Sequence, residues 1–238
     1  MKIKPIRTPI FKPNQRLLPF LERALPRCLE GSVVVVTSKI VALSEGRVVP
    51  SFTAESHARI IRSESDWAMR TKYTWLTIKD SVVMASAGVD ESNGNGQLIL
   101  LPRDSFKSAA RIRSHLRKKY KLKHLGVIIT DSRCTPLRAG ITGMAIGYAG
   151  FKGIKSYRGI PDIFGRRFHF SQVNVADSLA AAAVLCMGEG AERQPLAVIT
   201  NAPIVFSTQQ RRGELIITLK DDMFLPWLGK SRNCRLQI

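Results

Sequence analysis

Acidic residues are scarce in this sequence of 238 residues. Eighteen Asp and Glu face 37 Lys and Arg, a formal net charge of +19. That imbalance fits a nucleic-acid binder, because neutralised phosphates release counterions. It fits equally an enzyme of polyanionic substrates, which a positive field concentrates, or a lineage whose proteins are basic throughout. Cysteine is also sparse. Cys28, Cys134, Cys186 and Cys234 stand far apart and form no CxxC pair, which argues against a zinc ribbon, a redox dithiol or a disulfide framework. No apolar run approaches the roughly 20 residues that span a bilayer. The opening MKIKPIRTPIFKPNQR has too little apolar core for a secretory signal, so no membrane association and a cytoplasmic location are expected. There is no GxxxxGKS/T loop, and no GxGxxG follows a strand, which removes the common nucleotide-binding fingerprints. His57, His115, His124 and His169 are dispersed; each is expected to be solvated or hydrogen-bonded rather than catalytic. No internal repeat or low-complexity linker is present.

What is there reads as a globular chain, 45% hydrophobic, of one large domain or two small ones. A proline-punctuated extended opening leads into LLPFLERALPRCLE, predicted to be a helix interrupted at its prolines. Four consecutive valines in GSVVVVTSK predict a strand buried on both faces. It ends at Thr37-Ser38-Lys39, two hydroxyls and a cation where α/β proteins commonly place ligand contacts. Residues 54–72 are predicted helical. YTWLTI and SVVMASAGV read as successive strands and QLILLP as another, so residues 81–102 are expected to form a hairpin with an enlarged loop. Asp104 or Ser105 should cap a helix with Phe106, Ala109, Ala110, Leu116 and Tyr120 on its apolar face and basic residues around the rest. GVIIT is a short buried strand ending in Asp131-Ser132. RAGITGMAIGYAGFKGI is too broken by glycine for a regular helix. VNVADSLAAAAVLCMGEGAE gives a helix running out at Gly188-Glu189-Gly190, and PLAVIT a final core strand. ELIITL reads as one more strand and, with Trp227, as an interface element. The fold class is α+β, mixed or antiparallel strands flanked by helices.

Three acids share one setting. Asp90 follows SVVMASAGV, Asp131 follows GVIIT, and Glu189 follows the alanine-rich helix. Polar groups gather at such ends beside a core without being buried in it. Carboxylates with serine and asparagine are hard oxygen donors suited to magnesium or manganese, and magnesium held by carboxylates most often serves phosphates. Taken singly, each acid reads as an ordinary turn residue. Residue chemistry alone reaches a metal–phosphate site on an α+β scaffold. Arg138 and Arg158 are candidates for anion contact through bidentate guanidinium bonds, with a surface ion pair as the other reading.

The strings TSKIVALSEGR (37–47), AGVDESN (87–93), ITDS (129–132), AGITGMAIGYAG (139–150), YRGIPDIFGRRF (157–168) and VADSLAAAAVLCMGEG (175–190) occur together in this order. As a set they resemble the coenzyme F420:L-glutamate ligase family, over roughly residues 8–203. The resemblance implies amide formation between glutamate and an acceptor acid, driven by GTP or ATP with two magnesium or manganese ions. It implies metal contacts at Asp90, Asp131, Ser132 and Glu189, with Asp90, Asp131 and Arg138 acting in catalysis. It implies nucleotide contacts at Thr8, Pro9, Ile10 and Phe11, at Ser38 and Lys39, at Asn93, and within Met187–Gln194, where Met187, Gly188 and Gly190 lie. It also implies an intertwined homodimer. A ligase-like domain, as one body or as two intertwined lobes, is expected over 1–205, with a C-terminal extension over 206–238.

The chain departs from the family pattern around these acids. Leu43 stands where a lysine is usual, Asp80-Ser81 where His-Gly is common, Ser178 where a glutamate is common, and RCTPLR where FGRPWR is common. This pattern suggests retained metal–nucleotide chemistry with an altered acceptor pocket, of deazaflavin or folate and pteroate type. Two competing readings stand beside it: a basic nucleic-acid-binding module, and a relative that binds nucleotide or pterin without turnover. Exposed aromatics among basic residues would favour the nucleic-acid module, yet Phe106 and Tyr120 are expected on the apolar seam.

Overall fold

The computed structural model describes residues 1–25, 27–50, 53–209 and 212–224. In chain order the elements begin with β1 (Lys2–Ile6), α1 (Leu17–Ala24), β2 (Ser32–Thr37), α2 (Ser38–Ser44) and β3 (Val48–Pro50). They continue with α3 (Ala54–Ser63), β4 (Trp67–Arg70), β5 (Trp75–Lys79), β6 (Val82–Ala85) and β7 (Gln97–Ile99). Then come α4 (Ser105–Tyr120), β8 (Leu125–Cys134), β9 (Ile141–Ala149), β10 (Ile154–Ser156), β11 (Gln172–Asn174), α5 (Val175–Met187) and β12 (Leu196–Thr200). The class is α+β, as expected. Two compact units divide the chain: Met1–Arg47 with Pro102–Glu214, and Val48–Leu101 with the described residues from Leu215 onward.

The first unit is built on a sheet of order β1-β12-β2-β8-β9. β2 and β8 run parallel, with Thr37 opposite Thr130, and the other neighbours are antiparallel. Val33 to Val36 have no exposed surface, and burying each such side chain contributes about 1.5–3 kcal/mol. On one face Val34, Val36, Val127 and Ile129 pack with Leu21, Val41, Ile112 and Leu116 from α1, α2 and α4. α5 packs along β9, β8, β12 and β1. Its buried positions include three alanines, Ala176, Ala180 and Ala183, so it lies close. A Cβ on Gly143 would stand 2.6 Å from the Cβ of Val184. The glycines of 139–150 therefore make room for packing inside the nine-residue strand β9, which glycine content alone had concealed. Ile146 is an extra residue there: Ile129 faces Gly147 and Thr130 faces Ala145, a β-bulge. Beyond it β8 continues to Cys134, so Asp131 and Ser132 lie within a strand rather than after one.

The second unit holds an antiparallel sheet β4-β5-β6 and the pair β3-β7. Its core is Ile61, Trp75, Val89, Leu98 and Leu100. The helix expected over 54–72 stops at Ser63, because Trp67–Arg70 pairs with β5 instead. The strand expected over SVVMASAGV stops at Ala85, since Ser86 and Ala87 turn through φ of 51° and 53°. β7 pairs with β3 and β6 with β5, so residues 81–102 are not one hairpin. The Asn-Gly loop is nonetheless closed locally, by Asp90 N–H to Ile99 O at 3.0 Å and Ile99 N–H to Asp90 O at 2.8 Å.

ELIITL forms no strand among the described residues. Glu214 is drawn inward to accept from the Tyr148 hydroxyl at 2.6 Å and the Gly153 N–H at 2.5 Å, and Leu219–Asp221 forms a single 3-10 turn. Trp227 lies outside the described residues. No described helix is long and apolar enough to cross a membrane.

Candidate functional site

β2 ends at Thr37 beside Thr130, where β8 runs on, and the chain beyond β2 turns at once into α2. Ser38, the first residue of that helix, is buried. Its Oγ donates to Asp131 Oδ1 at 3.3 Å, across 93 residues of sequence. Successive side chains on a strand leave it on opposite sides, so Ser132 finds a different partner. Its Oγ donates to Glu189 Oε1 at 2.5 Å. Glu189 stands just past α5, where Gly188 at φ +80° breaks the helix and its N–H returns to Val184 O. The same turn carries Glu192, whose carboxylate accepts the Gly190 N–H at 2.8 Å. One residue after Glu192, the Arg193 carbonyl accepts the Thr8 N–H at 2.9 Å. Four segments far apart in sequence are thus joined within the first unit: Thr8–Phe11, Ser38-Lys39, Asp131-Ser132 and Met187–Gln194.

Not every expected contact presents its side chain. Phe11 and Met187 are buried, Phe11 against Phe20 with ring centres 4.8 Å apart, so only their backbones are available. Thr8 is buried, with its hydroxyl on Pro9 O, while Pro9 and Ile10 are exposed. Lys39 is half-buried beside Ser38. Arg138 lies in the exposed stretch 134–142, and Arg158 is exposed as well. Leu43, at the position of the missing lysine, packs against the core that contains Phe11 and Val41.

Asp90 and Asn93 belong to the second unit. Asp90 is half-buried, and its Oδ1 accepts the Ser92 N–H at 2.6 Å. Asn93 is exposed with φ of 57°. Gly94 is needed behind it, because a Cβ there would meet Gln97 O at 2.1 Å.

The donors offered by Asp131, Ser132, Glu189 and Asp90 are all hard oxygens, the chemistry that magnesium and manganese require. Among the described residues no group of three or more His, Cys, Asp or Glu converges on one point. A cation that keeps waters and phosphate oxygens in its shell needs only one or two protein carboxylates, so the donors of either unit, taken by themselves, fit such an ion. Gln194 Oε1 and Arg133 Nε are buried without a partner among the described residues. Both lie in or beside the joined segments, where a polar ligand would satisfy them.

Arg133 was not legible as a site residue. Its Nη1 pairs with Asp177 Oδ2 at 3.2 Å, and nothing local in sequence signals a partner on α5. The histidines are mostly engaged with acids. His115 meets Glu22 at 2.5 Å, His124 meets Glu30 at 2.9 Å and His57 meets Glu91 at 3.0 Å. The Glu22 carboxyl is held below its ordinary value, chiefly by Lys119 and then by His115. On α4, Phe106 packs beside Tyr148 with ring centres 5.3 Å apart, and Tyr120 is half-buried. Neither stands free as a stacking platform for bases.

The model of the family F420-0:Gamma-glutamyl ligase matches residues 5–201. The chain is 33% identical over 213 residues to the coenzyme F420:L-glutamate ligase of Methanococcus maripaludis strain C6, covering 82% of this chain and 85% of that protein. It is 30% identical over 213 residues to the coenzyme F420:L-glutamate ligase of Methanocaldococcus jannaschii, with the same 82% and 85% coverage.

Proposed function

The chain belongs to the F420-0:Gamma-glutamyl ligase family, and from that premise we propose that it joins L-glutamate through an amide bond to a carboxylate of a coenzyme F420 precursor. A folate or pteroate is the alternative acceptor, since it too carries a γ-linked glutamate tail on a flat heteroaromatic head. The observation that carries the reading is the joining of four separated segments by Thr8–Arg193, Ser38–Asp131 and Ser132–Glu189.

Condensing a carboxylate with an amine in water is uphill. GTP or ATP therefore first transfers its γ-phosphoryl group to an acceptor carboxylate oxygen. The glutamate amine attacks the carbonyl carbon of that acyl phosphate, the C–O bond to phosphate breaks, inorganic phosphate leaves, and the amine gives up a proton. Magnesium or manganese would neutralise charge on the transferring group. Asp131, Ser132 and Glu189 in the first unit and Asp90 in the second are the residues proposed to hold the ions. Ser38 fixes the Asp131 carboxylate. Ser38, Lys39, Asn93 and the backbones of Thr8–Phe11 and Met187–Gln194 are proposed to line the nucleotide. Arg138 would meet an acceptor or phosphate oxygen. The working form is proposed to be a cytoplasmic homodimer, which light scattering on the purified protein checks.

The test is a product assay with glutamate, GTP or ATP, and magnesium or manganese. The deazaflavin precursor, dihydropteroate and folate are offered in turn, with Asp131→Ala as control. A mass gain of one glutamyl unit that needs triphosphate, metal and Asp131 supports the reading and names the acceptor. If nucleotide and metal bind but no acceptor is extended, the acceptor class is wrong. If neither binds, the ligase reading fails.

A further inference from the structure

The Asp90 loop is held from two sides by groups outside it. On one side Val89, the residue before Asp90, is buried in the core with Ile61 of α3, Trp75, Leu98 and Leu100. On the other, Glu91, the residue after Asp90, is paired with α3 itself: His57 Nδ1 stands 3.0 Å from Glu91 Oε1. Asp90 is the residue between these two anchors.

The support is firm. α3 starts in a capping box in which the Thr53 side chain accepts from the Ser56 N–H and the Ser56 hydroxyl accepts from the Thr53 N–H. Ala58, next to His57, packs against the same core as Val89. Nε2 is buried and has no hydrogen-bond partner among the described residues, so the polar contact the ring makes is the one to Glu91, in the loop.

The pair is poorly placed to stabilise the fold. Side-chain exposure is 26% for His57 and 61% for Glu91, and ion pairs that open to water add little to stability. What it adds is direction, since it ties the residue that follows Asp90 to α3. Partners that orient a ligand residue are worth much more to metal binding than to folding.

We infer that His57 is a positioning residue for the Asp90 loop: by holding Glu91 against α3 it fixes the orientation in which Asp90 is offered to a divalent cation. The inference rests on the proposed metal role of Asp90.

Manganese is the probe, with free Mn2+ counted by electron paramagnetic resonance in titrations of the full-length protein. His57→Leu is expected to weaken Mn2+ binding about tenfold while leaving the melting temperature nearly unchanged. His57→Asn, whose amide can reach Glu91 from the place of Nδ1, is expected to recover most of the loss. Glu91→Ala should weaken binding like His57→Leu, and the double variant should bind no worse than the poorer single, since one link is being cut twice. Additive losses in the double variant would overturn the link. If Asp90→Asn loses Mn2+ while His57→Leu and Glu91→Ala bind as the parent does, the positioning role is wrong and the Asp90 assignment stands. If Asp90→Asn binds Mn2+ as the parent does, the Asp90 assignment falls, and the inference with it.

Discussion

Ser132 has one proton to give, and it gives it to Glu189. Its two lone pairs are then turned to whatever lies beside it, which is the arrangement a hydroxyl needs to face a cation. Ser132→Ala should lower glutamyl transfer about 10- to 100-fold, whereas Ser132→Thr should retain most of it. Steady-state rates at saturating metal distinguish the two. The thiols make a second residue-scale prediction. Burial pushes the Cys28 thiol up to about 11, while Cys134 and Cys186 are exposed. At pH 8 a thiol reagent should label Cys134 and Cys186 in the folded protein and reach Cys28 only on unfolding, as peptide mapping would show. The acids and hydroxyls of the site could be named from sequence because each ends or interrupts an apolar run. Their pairings could not: Ser38 finds Asp131 across 93 residues and Ser132 finds Glu189 across 57, and no local pattern encodes such distances.

Elements rose or fell with how strongly their residues committed them. Four valines left β2 no choice but a core, and Asp104 caps α4 through the Lys107 N–H at 2.8 Å. β9 went unread because Gly143 and Gly147 are there to admit α5 and the start of α4, a packing reason that composition disguises as irregularity. QLILLP was rightly an extended run, but its partner β3 lies outside the local stretch that hairpin reasoning searches. Gly143→Ala should cost about 1–3 kcal/mol by overpacking against Val184 and the Ala180 carbonyl, read from thermal melts. Gly213→Ala, with open space around it, serves as control. Asp104→Ala should cost about 1–2 kcal/mol at pH 7. Burial alone would raise the Asp104 carboxyl, but the Arg212 guanidinium and the Lys107 N–H outweigh it and hold it below its ordinary value. A carboxyl lowered in the folded state stabilises fully above its unfolded value, near 3.9, and loses that contribution as pH falls through the folded one. Urea unfolding should therefore show the gap between parent and Asp104→Ala narrowing below about pH 4.

For the molecule as a whole, the +19 charge sets up a field that concentrates polyanions. Raising salt from about 0.05 to 0.5 M should weaken nucleoside triphosphate binding by about tenfold, since screening shortens the reach of the field. Calorimetry at the two salt levels checks this, and a salt-independent affinity would mean that contacts rather than field hold the triphosphate. Chain order in the central sheet bears on how the protein comes to exist. β2 ends at Thr37, yet its neighbours are β8, from Leu125, and β12, from Leu196. At translation rates of about 5–20 residues per second, the valine strand waits several seconds for its first neighbour and longer for its second. During that interval a nascent chain displays a short apolar β-segment with both edges open, the kind that joins its copies on crowded ribosomes. Weak induction, which puts fewer nascent copies side by side, should therefore raise the soluble fraction relative to strong induction.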